Sequence, residues 1–458
     1  MAIELEPHVR ETDAFTFRME RDPLLRSTII AISLLDRSPD WDVLVERIER
    51  ATLLAPSFRE RLVASPFGLA PPRWTVDPDF DLSWHLRRVG APTPATLEGV
   101  LDMARIAGMT AFDPARPLWE FTLVEGLRGR GAALVMKVHH ALTDGLGGID
   151  LAAHVVDAQR EPADLGPMPP APSVSPHGAV EQVGEAIGFD LLRFGQVLRS
   201  FVGDLPATVW RAGRAPARAV ADVAATASSL ARFVRPVTAT LSPLMTERRL
   251  RWRYQVLDVP LDDLKRAAKA GGGTLNDAFL AGVTGGLRRY HHSHGAHVDR
   301  LRVSMPISVR REGDPVGGNR ITLVRFEVPA GMTEPIGRMR AIGAAAAAQR
   351  RERSLPFSNT VAGVMNLLPA TVTGGMLKHI DFLASNVAGF PDPVYVGGAR
   401  VERFYGMGPT IGASANITLM SYQGTCNIGV TTDAGAVPDP EAFLACLVEG
   451  FDEVIACG

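Results

Sequence analysis

Cysteine is scarce in this chain: Cys426, Cys446 and Cys457 are the only three in 458 residues, and none forms a CxxC pair or lies near a cluster of histidines. So small and odd a set argues against a disulfide framework and a thiolate zinc site, and it points to a reducing, cytoplasmic setting. Excess charge is missing too. Forty-eight Lys and Arg stand against 50 Asp and Glu, a formal net charge of −2, so no global field draws nucleic acid or an anionic surface, and no nucleic-acid partner is expected. The start of the chain, Met-Ala-Ile-Glu-Leu-Glu, is acidic where a secretion signal is basic. Unbroken apolar runs are also lacking. The uncharged stretches Ser354 to Leu377 and Tyr405 to Thr432 are long enough to span a bilayer, but Pro356, Pro369, Gly374 and Gly375 break the first and six Gly or Pro residues the second. Both read as buried segments of a folded protein rather than spanning helices. There is no GxSxG nucleophile elbow, no phosphate-binding loop and no dinucleotide fingerprint.

What is present is an ordinary folded composition, 46% hydrophobic and 21% charged, in a chain long enough for two or three domains or one large two-lobed unit. Trp41 to Leu62 has helical spacing with a break at Pro56, and Thr96 to Ala107 reads as a second amphipathic helix. Phe121 to Glu125 and Ala132 to Val138 have the composition of strands, the second nearly continuous and buried. Strands interleaved with helices predict an α/β or α+β lobe over residues 1–175. Six prolines between Pro162 and Pro176 mark its end. Residues 176–247 then form a helical crossover in which, from Asp190 to Leu241, seven arginines face three aspartates. Such a helix lies either on a membrane surface or along both lobes with a solvated arginine face.

A second lobe is expected over 248–458, with helices from Asp258, from Asn276 to Tyr290 behind a Thr274 cap, from Met332 to Arg351 and from Phe443 to Ala456. Strands are expected at Leu301 to Val309 and Ile321 to Val328, and a hairpin over Asn416 to Val430. His291, His292, His294 and His297 lack acidic or cysteine companions at ligand spacing and read as a solvated loop; no metal is expected.

The pattern that carries chemistry is Val138-His139-His140-Ala141-Leu142-Thr143-Asp144-Gly145, at the end of a buried strand. Adjacent histidines there can present one imidazole to a cavity and the other to the scaffold, and an imidazole accepts and returns a proton near neutral pH. Asp144 either orients a histidine or anchors the turn, and Gly145 allows a tight corner. Asn276 and Asp277 on their own read as a helix start. Ser385 and Asn386 read as a loop, and Pro117, Leu118 and Trp119 as support for the fold.

Taken together, these residues resemble a known superfamily. His139 to Gly145 match the HHxxxDG motif of CoA-dependent acyltransferases, which include chloramphenicol acetyltransferase and peptide-synthetase condensation domains. Pro117-Leu118-Trp119, Asn276-Asp277, Met305 to Arg310, Gly318-Asn319, Ser385-Asn386-Val387 and Ser421-Tyr422 narrow the resemblance to the bacterial wax ester synthase/diacylglycerol acyltransferase family, over nearly the whole chain. Arg21 to Arg26 lacks that family's Pro-Met-His sequence, and Ala388 and Phe390 interrupt its proline-rich run.

The resemblance implies an α/β, two-lobed, chloramphenicol acetyltransferase-like fold with a long helical crossover. It implies an O-acyltransferase with acyl-CoA as co-substrate and no cofactor, taking diacylglycerol or a long-chain alcohol to triacylglycerol or wax ester at a membrane or lipid-droplet surface. His140 would be the general base, with His139 and Asp144 beside it. Asn276, Asp277, Gly145, Ser385 and Asn386 would shape the substrate channel. A carrier-protein-dependent condensation-type enzyme and a non-catalytic lipid-binding homologue are the rival expectations.

Overall fold

The computed structural model describes residues 9, 11–64, 71–142, 145–172, 238–308, 321–350, 374–375 and 377–458. Most of the expected crossover, Asp144, Gly318-Asn319 and nearly all of Ser354 to Leu377 fall outside them.

The N-terminal half runs α1 (Glu11–Met19), β1 (Thr28–Leu35), α2 (Trp41–Leu54), β2 (Glu60–Val63), β3 (Arg73–Val76), α3 (Leu82–His85), β4 (Leu86–Gly90), α4 (Leu97–Met109), β5 (Trp119–Glu125), β6 (Ala132–His139) and α5 (Gly145–Val155). The rest runs β7 (Trp252–Pro260), α6 (Leu261–Gly271), α7 (Leu275–Ser293), β8 (Leu301–Ser308), β9 (Ile321–Val328), α8 (Pro335–Arg350), β10 (Phe382–Ala388), β11 (Tyr395–Val396), β12 (Ala399–Met407), β13 (Ala415–Tyr422), β14 (Thr425–Asp433) and α9 (Pro440–Ile455). Helix α2 begins where expected because the Asp40 carboxylate accepts the N–H groups of Asp42 and Val43, a cap worth about 1 kcal/mol. The helical reading of Trp41 to Leu62 ends early: Pro56 opens a short 3-10 turn, and Glu60 to Val63 pair with β3 as a strand.

Two six-stranded sheets form the frame, in the orders β11-β12-β1-β6-β5-β4 and β7-β14-β13-β10-β8-β9. The first is antiparallel apart from the β4–β5 pair. The second is mixed, with β10 parallel to both β8 and β13. One feature departs from the expected division at residue 248. Strands β11 and β12 lie within 248–458 yet pair onto the first sheet, with Ile32 opposite Tyr405. The C-terminal lobe therefore completes the N-terminal sheet, so the two lobes cannot be cut apart at a single point in the chain.

The second core wraps α7, where Ala278, Phe279, Leu280, Ala281, Val283 and Leu287 are all fully buried. A helix apolar on every side belongs inside a fold. Between the two sheets, β12 and β14 pass so closely that a Cβ on Gly429 would stand 2.1 Å from the Gly406 carbonyl oxygen. Any larger residue at 429 would push the sheets apart. Trp119, fully buried, stacks on His85 at 4.6 Å and donates its indole N–H to the Phe58 carbonyl at 2.8 Å. The Pro-Leu-Trp residues thus brace the first sheet.

Candidate active site

Strand β6 sets the site by alternation. Side chains of a strand point to opposite faces in turn, so Met136 and Val138 face a cavity between the two sheets while Lys137 and His139 face the core behind. His140, the next residue, is half-buried and lines that cavity. Its backbone N–H donates to the Ser27 carbonyl at 3.0 Å, which ties the end of β6 to the start of β1.

His139 is 1% exposed. The Ala141 N–H donates to its Nδ1 at 2.9 Å, so that nitrogen is an acceptor and the ring proton belongs on Nε2. Nε2 stands 3.1 Å from Glu20 Oε1, close but off the axis of a good hydrogen bond. Glu20 Oε1 also accepts the Ser27 N–H at 2.7 Å. Burial alone would raise the Glu20 carboxyl; contact with His139, the Ser27 N–H and the nearby Arg26 outweighs burial and holds it below the usual carboxylate value. Lys137 pairs with Glu120 at 3.1 Å and lies 4.1 Å over the Phe112 ring, which also meets His139 edge-on. Burial pushes the Lys137 ammonium down while Glu120 opposes that shift.

The cavity has a volume of about 260 Å³. Helix α5, which starts at Gly145, covers one side with Ile149, Leu151, Ala152 and Val155. The second sheet supplies the opposite wall, including Ser304, Ser385, Asn386, Asn416 and Thr418. Two of these polar groups are tied together: Asn416 Nδ2 donates to the Pro409 carbonyl at 2.7 Å, and the Thr418 hydroxyl donates to Asn416 Oδ1 at 3.0 Å. An apolar chamber with a few convergent polar groups and a histidine at one end suits an amphipathic substrate.

The residues singled out from sequence are placed as follows. His140, Ser385 and Asn386 line one cavity, with His139 directly behind His140. Asn276 and Asp277 are not among its lining residues. Asp277 closes a capping box at the start of α7, accepting the Thr274 N–H and hydroxyl, each at 2.8 Å, on one carboxylate oxygen. Asn276 Nδ2 lies 3.6 Å from the sulfur of Met305, whose neighbours Ser304 and Pro306 face the cavity. The histidine group differs from the expected solvated loop, since His291 and His292 belong to the last turn of α7. His291 is buried inside α7, its ring joined to the Ser242 hydroxyl and the Leu287 carbonyl, each at 2.7 Å, while His292, His294 and His297 are exposed. Among the described residues no group of three or more His, Cys, Asp or Glu side chains is placed to hold a metal ion. Sequence reasoning missed Glu20, Ser27 and Asn416. Nothing local marks the first two, because their roles depend on pairing with residues more than a hundred positions away.

A sequence model described as the wax ester synthase/diacylglycerol acyltransferase catalytic domain matches residues 10–279, and a model of the WS/DGAT C-terminal domain matches 317–454. The chain belongs to the wax ester synthase/diacylglycerol acyltransferase family. A Mycobacterium tuberculosis protein named "putative diacylglycerol O-acyltransferase" is 38% identical over 99% of this chain and 92% of its own length. Among solved structures, the wax ester synthase/diacylglycerol acyltransferase of Marinobacter aquaeolei superposes with a TM-score of 0.66 at 20% identity, covering 98% of each chain. A starter condensation domain of rhizomide synthetase, solved with C8-CoA, gives 0.61 at 12% identity over 98% of this chain and 94% of its own. Both share the fold: two mixed α/β lobes of the chloramphenicol acetyltransferase type. With this family and this fold, the protein is an acyltransferase of the wax ester synthase/diacylglycerol acyltransferase type.

Proposed function

We propose that the protein transfers a fatty acyl group from acyl-CoA to diacylglycerol or a long-chain alcohol, giving triacylglycerol or a wax ester. The observation that carries this reading is the position of His140, at the polar end of an apolar cavity walled by both sheets. In this reaction His140 takes the proton from the alcohol hydroxyl as the oxygen attacks the thioester carbonyl carbon. The tetrahedral intermediate then collapses, the carbon–sulfur bond breaks, and the imidazolium returns the proton to the CoA thiolate. His139, Glu20 and Ser27 hold the turn that presents His140. Asp144, outside the described residues, is included with them for its place in the HHxxxDG motif, and Ser385 and Asn386 border the path of the substrate. Asp277 fixes the start of α7, away from the cavity, and Asn276 packs behind β8.

The apolar products fit a reaction carried out at a membrane or lipid-droplet surface, to which the protein attaches peripherally. No helix among the described residues is long and apolar enough to cross a membrane. Flotation with liposomes that is unchanged after replacing the arginines between Asp190 and Leu241 would remove that segment from the attachment. The likeness to condensation domains supports a second reading, in which the acyl group arrives on a carrier protein. The deciding experiment supplies palmitoyl-CoA with diacylglycerol or with hexadecanol and follows free CoA. Alcohol-dependent release is expected. Turnover that appears only with a carrier-bound acyl group would establish the second reading, and binding without turnover of either donor would make the protein a lipid-binding homologue.

A further inference from the structure

The cavity that holds His140 has a direction, and it ends at a wall of identifiable residues. On the first sheet its floor is a series of cross-strand rows. Ile29 stands opposite Val138, Ala31 opposite Met136 and Gly406, and Ser33 opposite Leu134 and Phe404. At about 3.4 Å per residue, the Ser33 row lies roughly 20 Å along β6 from His140. Polar side chains gather toward the His140 end: Ser385 stands opposite Thr418 in one row, and in the row before it Ser304 and Asn416 flank Leu383 in adjacent strands and Asn416 bonds the Pro409 carbonyl. Two rows farther along, β10 and β13 present Val387 opposite Met420. The reacting carbonyl and hydroxyl therefore belong at one end and a hydrocarbon tail at the other.

Strand β12 shows where the tail stops. Its positions facing the chamber carry no side chain at Gly406, or at Gly408 just beyond the strand, where Thr418, Met420 and Asn416 of β13 pack close, and the position farther from His140 is Phe404, 7% exposed. Behind Phe404 lies a second cavity of about 20 Å³, and Met136, Ala152, Val155 and Phe404 border both chambers. The lining of the small chamber is apolar apart from Ser33 and Tyr422. Tyr422 directs its hydroxyl away to the Val401 carbonyl at 2.8 Å and so offers its ring.

The geometry points to Phe404, backed by Met136 and Val155, as the end-stop of the alkyl-chain channel: it sets the longest unbranched chain the enzyme turns over efficiently. The ligand chemistry is a straight hydrocarbon chain, supplied by either the acyl-CoA or the alcohol. This inference rests on the acyl-transfer reading above. Removing the Phe404 ring joins the two chambers. Each further methylene buried then improves kcat/KM about fourfold, the value of one CH₂ leaving water. A bulkier side chain at Ala31, about two-thirds of the way along, shortens the channel instead.

The test measures kcat/KM for wild type, Phe404→Ala and Ala31→Leu in two arms: an acyl-CoA chain-length series with hexadecanol fixed, and an alcohol series with palmitoyl-CoA fixed. Phe404→Ala is expected to move the optimum to longer chains in one arm only, and Ala31→Leu to move the same arm to shorter ones. The arm that moves names the chain that occupies the channel. Folded, active variants whose profiles superimpose on wild type in both arms overturn the proposal. Phe404→Leu replaces Phe404→Ala if the latter does not fold, with a smaller shift in the same direction. If wild type shows no alcohol-dependent CoA release, it is the acyl-transfer reading that has failed. Displacement of a fluorescent fatty acid by fatty acids of increasing length then still decides the end-stop, which predicts a longer limit in Phe404→Ala than in wild type.

Discussion

Glu20→Gln isolates the charge behind the histidine pair while keeping the size of the side chain. The oxygen that accepts the Ser27 N–H at 2.7 Å and lies 3.1 Å from His139 Nε2 remains, but its negative charge is gone. Hydrogen bonds to charged groups contribute about 1.5–3 kcal/mol, so a loss of about 2 kcal/mol of stability is expected at pH 7. The groups facing Glu20 are His139, Ser27, Arg26 and Lys137. Against burial, the first three hold its carboxyl below the reference value of 4.5. A depressed carboxyl stabilises the fold fully above its unfolded value, and that contribution is lost as the pH falls through the lower folded value. Chemical denaturation of wild type and Glu20→Gln should therefore show a constant gap from pH 7 down to about 5, narrowing below about 4.5. Because the Ser27 carbonyl holds the His140 N–H, loosening this corner should also lower kcat with little change in KM, and Glu20→Asp should recover part of both losses. Equal denaturation midpoints at pH 7 together with equal kcat would refute the reasoning, as would a gap that does not vary with pH.

Three further outcomes follow from the packing. Asp277→Ala removes the capping box of α7 and should cost about 1–2 kcal/mol in thermal or chemical unfolding, while kcat/KM of the folded enzyme stays at the wild-type value; a selective loss of kcat/KM would instead make Asp277 part of the site. Trp119→Ala opens a cavity between β5 and the Phe58 and His85 rings and should destabilise by about 3–5 kcal/mol, read as a collapse of soluble yield or of the unfolding midpoint, with Trp119→Phe much milder. Burial pushes the Cys426 thiol up to about 12, so at pH 8 a thiol reagent should label Cys426 only after denaturant unfolds the protein.

Much of the frame was legible because the elements obey local rules. The helices α4 and α9 and the strands β5, β8 and β9 follow their apolar periods, β6 shows as a nearly continuous apolar run, and Thr274 and Asp277 announce the start of α7. Other elements were hidden for physical reasons. Strand β1, Thr-Ile-Ile-Ala-Ile-Ser-Leu-Leu, is central to its sheet and almost continuously apolar, so it shows no alternation. Strand β7 runs to Pro260, through a stretch whose spacing also fits a helix. Strands β11 and β12 join a sheet whose other strands lie some 250 or more residues earlier, a pairing no local pattern encodes. The site divides in the same way. The His139-His140 pair is written in consecutive residues at a strand end. The cavity before it and the carboxylate behind it are assembled from distant segments, and so are the polar contacts of Asn416.

The most direct test of the account compares His140→Ala with wild type for alcohol-dependent release of CoA from palmitoyl-CoA, after matched unfolding curves have shown both proteins to be folded. A general base contributes about 10²–10⁴-fold, and a loss of that size in kcat, with acyl-CoA still bound, is the predicted result. A folded His140→Ala enzyme that turns over at the wild-type rate would contradict the account.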